Sequence, residues 1–342
     1  MSEWPMVGVV GARGVVGGMF LAILADAGLP ADRLRAFGTE RGEATYDDAR
    51  LPITTLDEGT AEGLEVLFLA TDAVVSREIV AGRGRAVPLI VDNSSAFRLD
   101  PAVPLVVPEA NAAVLDSYRG NLVANPNCTT AAAVVVLAPI RNAAGLASVD
   151  LASYQAVSGA GRAGLDAFEE ERAAGGTERA EGSPFHGRIA DSVVPQIDTL
   201  DGAGWSGEER KVSAELRKIL GMPDLDVAAT TVRVPVRTGH SVAIHLRTQR
   251  ETTVGELEAA LRGAPGLEYR PVDGSQRHPM PLDAAGRDPV LVGRLRAIPG
   301  RERGFALFLS SDNLRKGAAL NAIQVAAVAN PGRFGRLVPT PR

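Results

Sequence analysis

The sequence predicts an α/β protein of about two domains, the first built on a doubly wound parallel sheet. Three observations support this prediction. A chain of 342 residues is long enough for two domains. An apolar strand pattern at residues 7–10 runs into a glycine-rich turn and then into a helical stretch. Further strand patterns separated by helical or loop segments follow at residues 34–37, 64–70 and 88–91.

Composition excludes several classes of protein. A content of 45% hydrophobic and 23% charged residues is typical of a globular domain. The single cysteine excludes an intrachain disulfide, and residues 1–5 lack the features of a signal peptide. No apolar run approaches the ~20 residues needed to span a membrane, and a net charge of −5 gives no reason to bind nucleic acid. We therefore expect a cytoplasmic protein that binds neither membranes nor nucleic acid.

The first turn has the sequence Gly-Ala-Arg-Gly-Val-Val-Gly, from Gly11 to Gly17. Glycines between a strand and a helix let the backbone approach a pyrophosphate at the helix N-terminus, although a tight turn without a cofactor is the alternative. The loop after the second strand, residues 38–42, contains both Glu40 and Arg41. An acidic residue there favours the ribose of NAD and a basic one the 2′-phosphate of NADP, so the sequence leaves the choice open.

Cys128 precedes an apolar run, residues 131–137, that predicts a buried helix. The cysteine would then lie at the helix N-terminus, where unpaired amides and the helix dipole favour the thiolate. The alternative is a buried cysteine with a structural role only. Its polar neighbours Asn127 and Thr129 favour the nucleophile.

Two further polar residues occur in or just after predicted strands. Arg98 follows the strand at residues 88–91, and it could bind a phosphate or carboxylate or form a surface ion pair. Gln155 is a polar residue in an apolar strand that runs into a glycine-rich turn, so its side chain points either to solvent or into a site.

The last candidates lie in the second half of the chain. Residues 208–221 predict a charged helix that ends at a glycine, and its composition alone favours a solvent-exposed face. Residues 231–244 predict two strands around a turn, with Arg233 and His240 seven positions apart. His240, in the setting Gly-His-Ser, is the candidate general acid or base for a cysteine nucleophile.

With these features, the whole chain resembles the aspartate-semialdehyde dehydrogenase family. The resemblance rests on motifs spread along the chain. These are Asp-Asn-Ser-Ser-Ala-Phe-Arg at 92–98, Asn-Pro-Asn-Cys at 125–128, Tyr-Gln-Ala-Val-Ser-Gly-Ala-Gly at 154–161, Gly-His-Ser at 239–241 and Asp-Asn-Leu-Arg-Lys-Gly-Ala-Ala at 312–319.

The resemblance implies a fold and an assembly. It implies a Rossmann-like nucleotide-binding domain made of residues 1–127 with 313–342, and an α+β catalytic and dimerisation domain made of residues 128–312. It also implies a homodimer or a dimer of dimers.

The implied activity is the NADP-dependent reduction of aspartyl 4-phosphate to aspartate 4-semialdehyde and phosphate, in the biosynthesis of lysine, threonine and methionine. No metal is implied. The implied roles are as follows: catalytic, Cys128 as nucleophile, His240 as acid/base and Gln155; substrate-binding, Arg98, Asn127, Glu208, Lys211 and Arg233; cofactor-binding, Gly11, Ala12, Arg13, Gly14, Val15, Val16, Arg41, Ser158, Gly159 and Asn313.

The sequence departs from the family pattern where the cofactor is expected. Arg13 replaces a threonine, the usual serine and arginine around residues 38–42 are incomplete, and residues 69–72 differ from the usual Ser-Ala-Gly-Gly. NAD therefore stays an alternative cofactor. A paralogue acting on another acyl phosphate and a non-catalytic binding relative are the alternative functions.

Overall fold

A computed structural model describes residues 4–175, 178–272 and 277–340. The chain forms two compact units. Unit 1 comprises Met1–Asn127 and Ala318–Arg342, and unit 2 comprises Cys128–Gly317. Both units combine helices with a sheet, which confirms the predicted α/β class.

Unit 1 is built on a sheet that has seven strands within the described residues. The strands are β1 (Val7–Val10), β2 (Leu34–Phe37), β3 (Gly42–Tyr46), β4 (Ala49–Thr54), β5 (Val66–Leu69), β6 (Leu89–Asp92) and β7 (Leu122–Ala124). Their order is β3-β4-β2-β1-β5-β6-β7, and every neighbouring pair except β3 and β4 is parallel. The chain crosses from β2 on one side of β1 to β5 on the other, which is the switch point where doubly wound sheets bind ligands.

Helices cover this sheet. They are α1 (Val15–Asp26), α2 (Glu58–Ala61), α3 (Ala73–Ala81), α4 (Pro108–Asn111), α10 (Leu320–Ala329) and α11 (Pro331–Phe334), with 3-10 turns at Ala31–Arg33, Ala112–Leu115 and Gly335–Leu337. Phe20 of α1 stacks on Phe68 of β5 with ring centroids 4.8 Å apart. Ile323 of α10 belongs to the same buried apolar cluster, so both ends of the chain contribute to one core.

Unit 2 contains a mixed sheet, six-stranded over the described ranges. Its strands are β8 (Ser148–Gln155), β9 (Asp226–Arg233), β10 (His240–Arg247), β11 (Leu267–Arg270), β12 (Val290–Ala297) and β13 (Gly304–Ser311), in the order β11-β12-β13-β10-β8-β9. Strand β9 runs parallel to β8, and β10 runs antiparallel to it. The end of β8, the end of β9 and the start of β10 therefore lie at the same edge of the sheet.

The remaining helices belong to unit 2. They are α5 (Cys128–Ala144), α6 (Gly161–Ala173), α7 (Gly207–Leu220), α8 (Val254–Arg262) and α9 (Pro281–Ala284), with a 3-10 turn at Val157–Ala160 and a π-helical turn at Arg315–Ala319 that leads into α10. A capping box of Ser206 and Glu209 starts α7, and Gly221 ends it in the left-handed conformation with φ 64°. None of the helices in the described ranges combines the length and apolarity needed to cross a membrane.

Candidate active site

Cys128 is the first residue of α5, as the sequence predicted. Thr129 and Thr130 follow it, and the next turns of the helix are completely buried. The thiol is partly exposed, whereas a cysteine that only fills a core is buried. A Cβ added to Gly317 would lie 2.9 Å from the Cys128 Cβ, so only glycine lets the π-helical turn approach the cysteine this closely. The helix N-terminus favours the thiolate of Cys128.

Gln155, Arg233 and His240 lie together at the edge of the unit 2 sheet, because they end β8, end β9 and start β10. Strand β8 separates β9 from β10, so the two predicted strands around residues 234–239 do not pair with each other. All three side chains are buried. The backbone of Ala156 connects two of them, since its N–H donates to His240 Nδ1 at 3.0 Å and its carbonyl accepts from Arg233 Nη1 at 2.8 Å.

Gly159 is the reason that Arg233 and His240 can lie side by side. A Cβ at this position would lie 2.7 Å from Arg233 Nη1 and 3.2 Å from His240 Nε2. A contact of 2.7 Å is far inside van der Waals separation, so any side chain here would displace the guanidinium.

His240 is neutral in this environment. Its pKa lies well below the ordinary value of 6.5, chiefly because burial removes the imidazolium from water and also because Arg233 repels it. Since Nδ1 accepts the Ala156 N–H, the proton of the neutral ring is assigned to Nε2. Nε2 is buried and has no hydrogen-bond partner among the described residues. A buried donor of this kind suits a substrate oxygen.

Arg233 is buried as a cation between opposite charges. Burial lowers the pKa of its guanidinium, whereas the negative charges of Cys128 and Glu208 raise it. Its guanidinium lies 5.9 Å from the ring centroid of Phe185. Within the described ranges its Nε has no partner. A positive charge close to a cysteine favours the thiolate, so Arg233 is a candidate to activate Cys128.

Gln155 points into the protein rather than to solvent. Its Nε2 donates to Glu208 Oε1 and to Ser153 Oγ, both at 3.2 Å. Glu208 lies in the first turn of α7 and is buried, although the composition of that helix alone favoured a solvent-exposed face. The exposed-face interpretation is therefore wrong for this turn of the helix, because tertiary packing against β9 covers it.

A pocket of about 390 Å³ opens beside these residues in unit 2. Glu208, Lys211 and Arg233 line it, together with Ala160, Pro184, Phe185, His186, Gln196, Ile197, Asp198 and Thr199. Lys211 Nζ donates to Asp198 Oδ2 at 2.6 Å, and this contact is the main reason that the pKa of Asp198 is lowered. Asp198 holds a φ of 72°, a left-handed backbone that is uncommon for a side chain. An anion that binds Lys211 competes with this carboxylate.

Asn313 braces the turn before His240. Its Oδ1 accepts the Gly239 N–H at 2.9 Å, and its Nδ2 donates to Ser158 Oγ at 3.0 Å. Ser158 and Gly159 belong to the turn Val157–Ala160, so three of the residues expected to bind the cofactor surround the catalytic candidates of unit 2.

The other residues expected to bind the cofactor lie in unit 1. Gly11 has a φ of 79°, and a Cβ on Gly17 would lie 2.0 Å from the Gly11 carbonyl oxygen, so the turn into α1 requires glycine at both positions. Gly14 occupies the N-cap position of α1, where no side chain accepts a hydrogen bond from the first backbone N–H groups. No acidic residue lies in the first turn of the helix. Gly11, Arg13 and Gly14 line a pocket of about 620 Å³. The pocket fits a dinucleotide, because the glycine turn lets the backbone approach a ligand and the N-terminus of α1 has no side-chain cap.

Arg98 and Asn127 also belong to unit 1. Arg98 donates from Nε to the Asn125 carbonyl at 2.9 Å and from Nη2 to the Asn93 carbonyl at 2.7 Å, so it links the loops after β6 and β7. Asn125 in turn accepts from Asn321 of α10 at 2.7 Å. Asn127 is buried immediately before Cys128.

Sequence reasoning missed three residues that shape the site: Asp198, Gly159 as a spacer and Gly317. Their roles depend on partners far away in the chain, since Gly159 faces Arg233 and Gly317 faces Cys128. No local pattern identifies such contacts. Asp198 is equally inconspicuous, since Asp191 and Asp201 lie in the same segment before the charged helix.

Known proteins resemble this chain over nearly its whole length. The family model "semialdehyde dehydrogenase, NAD binding domain" matches residues 6–118, and "semialdehyde dehydrogenase, dimerisation domain" matches residues 137–316. The aspartate-semialdehyde dehydrogenase of Bacillus subtilis is 38% identical, covering 94% of this chain and 96% of its own. That of Streptomyces akiyoshiensis is 40% identical, covering 94% and 97%. The structure of aspartate semialdehyde dehydrogenase II of Vibrio cholerae complexed with ASA is 32% identical, with a TM-score of 0.91 over 97% of this chain and 100% of its own.

Proposed function

The chain belongs to the aspartate-semialdehyde dehydrogenase family of oxidoreductases acting on an aldehyde, and from this we propose its specific reaction. It reduces aspartyl 4-phosphate to aspartate 4-semialdehyde and phosphate, using NADP and a thioester on Cys128. It does so as a cytoplasmic homodimer in the biosynthesis of lysine, threonine and methionine. The observation that carries the proposal is the cluster of Gln155, Arg233 and His240 in the same unit as Cys128, which begins α5.

The first step forms the thioester. The Cys128 thiolate attacks the acyl carbon, and the carbon–oxygen bond to phosphate then breaks, so that phosphate leaves with the electron pair. His240 donates its Nε2–H to the acyl oxygen as negative charge develops there, and Gln155 orients the acyl group. In the second step the thioester carbon is reduced and the Cys128 thiolate leaves, which releases the aldehyde.

Charged groups select the substrate. Arg233 suits the α-carboxylate because a guanidinium presents two parallel donors, and Glu208 suits the α-amino group. Lys211 and Arg98 are the cations for the phosphate, and Asn127 is a further substrate contact. Because Asp198 already pairs with Lys211 at 2.6 Å, the phosphate must displace or share that cation.

The dinucleotide supplies the hydride when it is bound. We assign its binding to the turn of Gly11, Ala12, Arg13, Gly14, Val15 and Val16, to Arg41, and to Ser158, Gly159 and Asn313. The uncapped N-terminus of α1 would bind the pyrophosphate through backbone N–H groups.

The test is phosphate-dependent reduction of NADP, and in parallel of NAD, by aspartate semialdehyde. The variant Cys128→Ser should lose activity by about three orders of magnitude or more, because a hydroxyl is a far weaker nucleophile than a thiolate. Incubation with aspartyl phosphate without nucleotide should release about one phosphate per active site from the wild type and none from the variant.

Two results would contradict the proposal in different ways. Full activity of folded Cys128→Ser would exclude the thioester. No activity of the wild type with either nucleotide would exclude aspartate semialdehyde as the substrate, and it would favour another acyl phosphate or a binding role.

A further inference from the structure

The glycine turn of unit 1 contacts the end of β2 directly. The Gly11 and Ala12 N–H groups donate to the Phe37 carbonyl at 2.9 and 3.2 Å. In doubly wound sheets the residues after this strand contact the adenosine ribose, so the two loops that bind pyrophosphate and ribose are here in contact.

Arg13 extends from the first loop to the second. Its Nη2 donates to the Glu40 carbonyl at 3.1 Å and to the Arg41 carbonyl at 2.6 Å. Both bonds use one nitrogen, and in the described part of the chain Nε and Nη1 make no hydrogen bond to protein. The side chain is exposed and lines the pocket of about 620 Å³. Three N–H groups of a fixed cation are thus available at the ribose loop.

Gly42 makes room for this cation. A Cβ on Gly42 would lie 2.2 Å from Arg13 Nη2, so the guanidinium lies against the open backbone at the start of β3. Arg13 and Gly42 are therefore complementary, although 29 positions separate them.

We propose that Arg13 determines cofactor specificity by binding the ribose 2′-phosphate of NADP, a role that rests on the proposed function. Glu40 lines the same pocket and repels a 2′-phosphate, while Arg41 in the same loop attracts one. These two charges cancel, so Arg13 supplies the net positive charge. A guanidinium also offers the paired donors that a phosphate accepts, whereas the free 2′-hydroxyl of NAD gains little from them.

The experiment is calorimetric titration of the whole protein with NADP and with NAD. Arg13→Ala should weaken NADP binding by about 10-fold to 100-fold and change NAD binding less than about threefold, since it removes a charge-assisted contact to one ligand only. Gly42→Ala keeps the charge of Arg13 but displaces its guanidinium. It should therefore lower the affinity for NADP relative to that for NAD, as Arg13→Ala does.

Arg50→Ala is the matched control, because it removes a cation of the same unit whose side chain is 85% exposed and pairs with Glu43. It should leave both affinities unchanged. Equal weakening of NADP and NAD by Arg13→Ala would mean that Arg13 only holds the loop, and it would overturn this inference while leaving the proposed function intact. Binding of neither nucleotide by folded wild-type protein would overturn both.

Discussion

At His240 the fold determines both the tautomer and the charge of a single ring. The Ala156 N–H occupies Nδ1, and burial beside Arg233 disfavours a second proton. A neutral imidazole with its proton on Nε2 is a hydrogen-bond donor over the whole physiological pH range. In the proposed mechanism this residue can therefore donate a hydrogen bond to a developing oxyanion without changing its own charge.

We expect His240 to remain neutral on acidification well below pH 6.5, while the unfolded chain takes up a proton there. Below that pH the unfolded state binds one more proton than the folded state, so the free energy of unfolding falls as pH falls. The slope from this residue is about 1.4 kcal/mol per pH unit at most.

NMR of the imidazole carbons, with His240→Gln to assign the signal, measures the protonation directly. Urea unfolding of both proteins from pH 8 to pH 5 should show the smaller loss of stability in His240→Gln. A His240 signal that titrates near pH 6.5 would contradict the assignment of a neutral buried ring.

Single residues also show what a sequence cannot decide. Gln155 had two possible orientations, and only the buried contact with Glu208, 53 positions later, resolves them. Arg13 departed from the family pattern, and its partner Gly42 lies at the start of β3, far from the turn of Arg13 in the sequence. Residue types could be predicted because chemistry demands them, whereas side-chain directions depend on tertiary contacts.

At the scale of elements, prediction succeeded where a strong local signal existed. The strand β1 and the glycine turn after it follow from an apolar run next to glycines, and α7 ends at Gly221 as its sequence indicated. Strands β3 and β4 were missed because their residues are mostly exposed and form no continuous apolar run. The insertion of β8 between β9 and β10 is a long-range pairing that no local pattern contains.

The turn that carries Gly159 is expected to be intolerant of any side chain. Gly159→Ala places a methyl group 2.7 Å from Arg233 Nη1, so the guanidinium and then His240 must move. A displacement of about 1 Å in a catalytic site costs on the order of 100-fold in rate. Steady-state kinetics should show this loss in kcat/KM for aspartate semialdehyde.

Gly202→Ala is the matched control for this substitution, because it lies in the same unit and a Cβ there would meet no atom within 4 Å. Both variants should unfold at temperatures close to that of the wild type. Unchanged kinetics of Gly159→Ala would show that the turn can relax, and that the spacing of Arg233 and His240 is not critical.

At the scale of the whole molecule, one face of the unit 2 sheet points outward. Along β10, Val242 and Ile244 are buried against the helices, whereas Ala243 between them is only half-buried. Tyr154 of β8 and Phe308 of β13 lie on the two strands that flank β10, with ring centroids 6.2 Å apart, and Tyr154 is 39% exposed. Since this unit matches a dimerisation domain, we expect this face to pack against a second copy of the chain.

Ala243→Arg tests this interface. Ala243 pairs with Ala152 on one side and Phe308 on the other, so an arginine would lie near the middle of the face. In a monomer the new cation would be solvated and harmless, but in a dimer it would be buried opposite its own copy. Light scattering should therefore give twice the 35.7 kDa of one chain for the wild type and a single chain for the variant.

Ala259→Arg is the control, because it introduces the same charge at an exposed position of α8, on a helix of the same unit. It should remain dimeric. A wild-type monomer would exclude the homodimer, whereas a dimeric Ala243→Arg would place the interface elsewhere on the unit. The activity of both variants is measured as well. Loss of activity in the monomeric variant but not in Ala259→Arg would mean that the positions of Gln155 and His240 depend on the second subunit, because Gln155 ends β8 and His240 starts β10 of this same sheet.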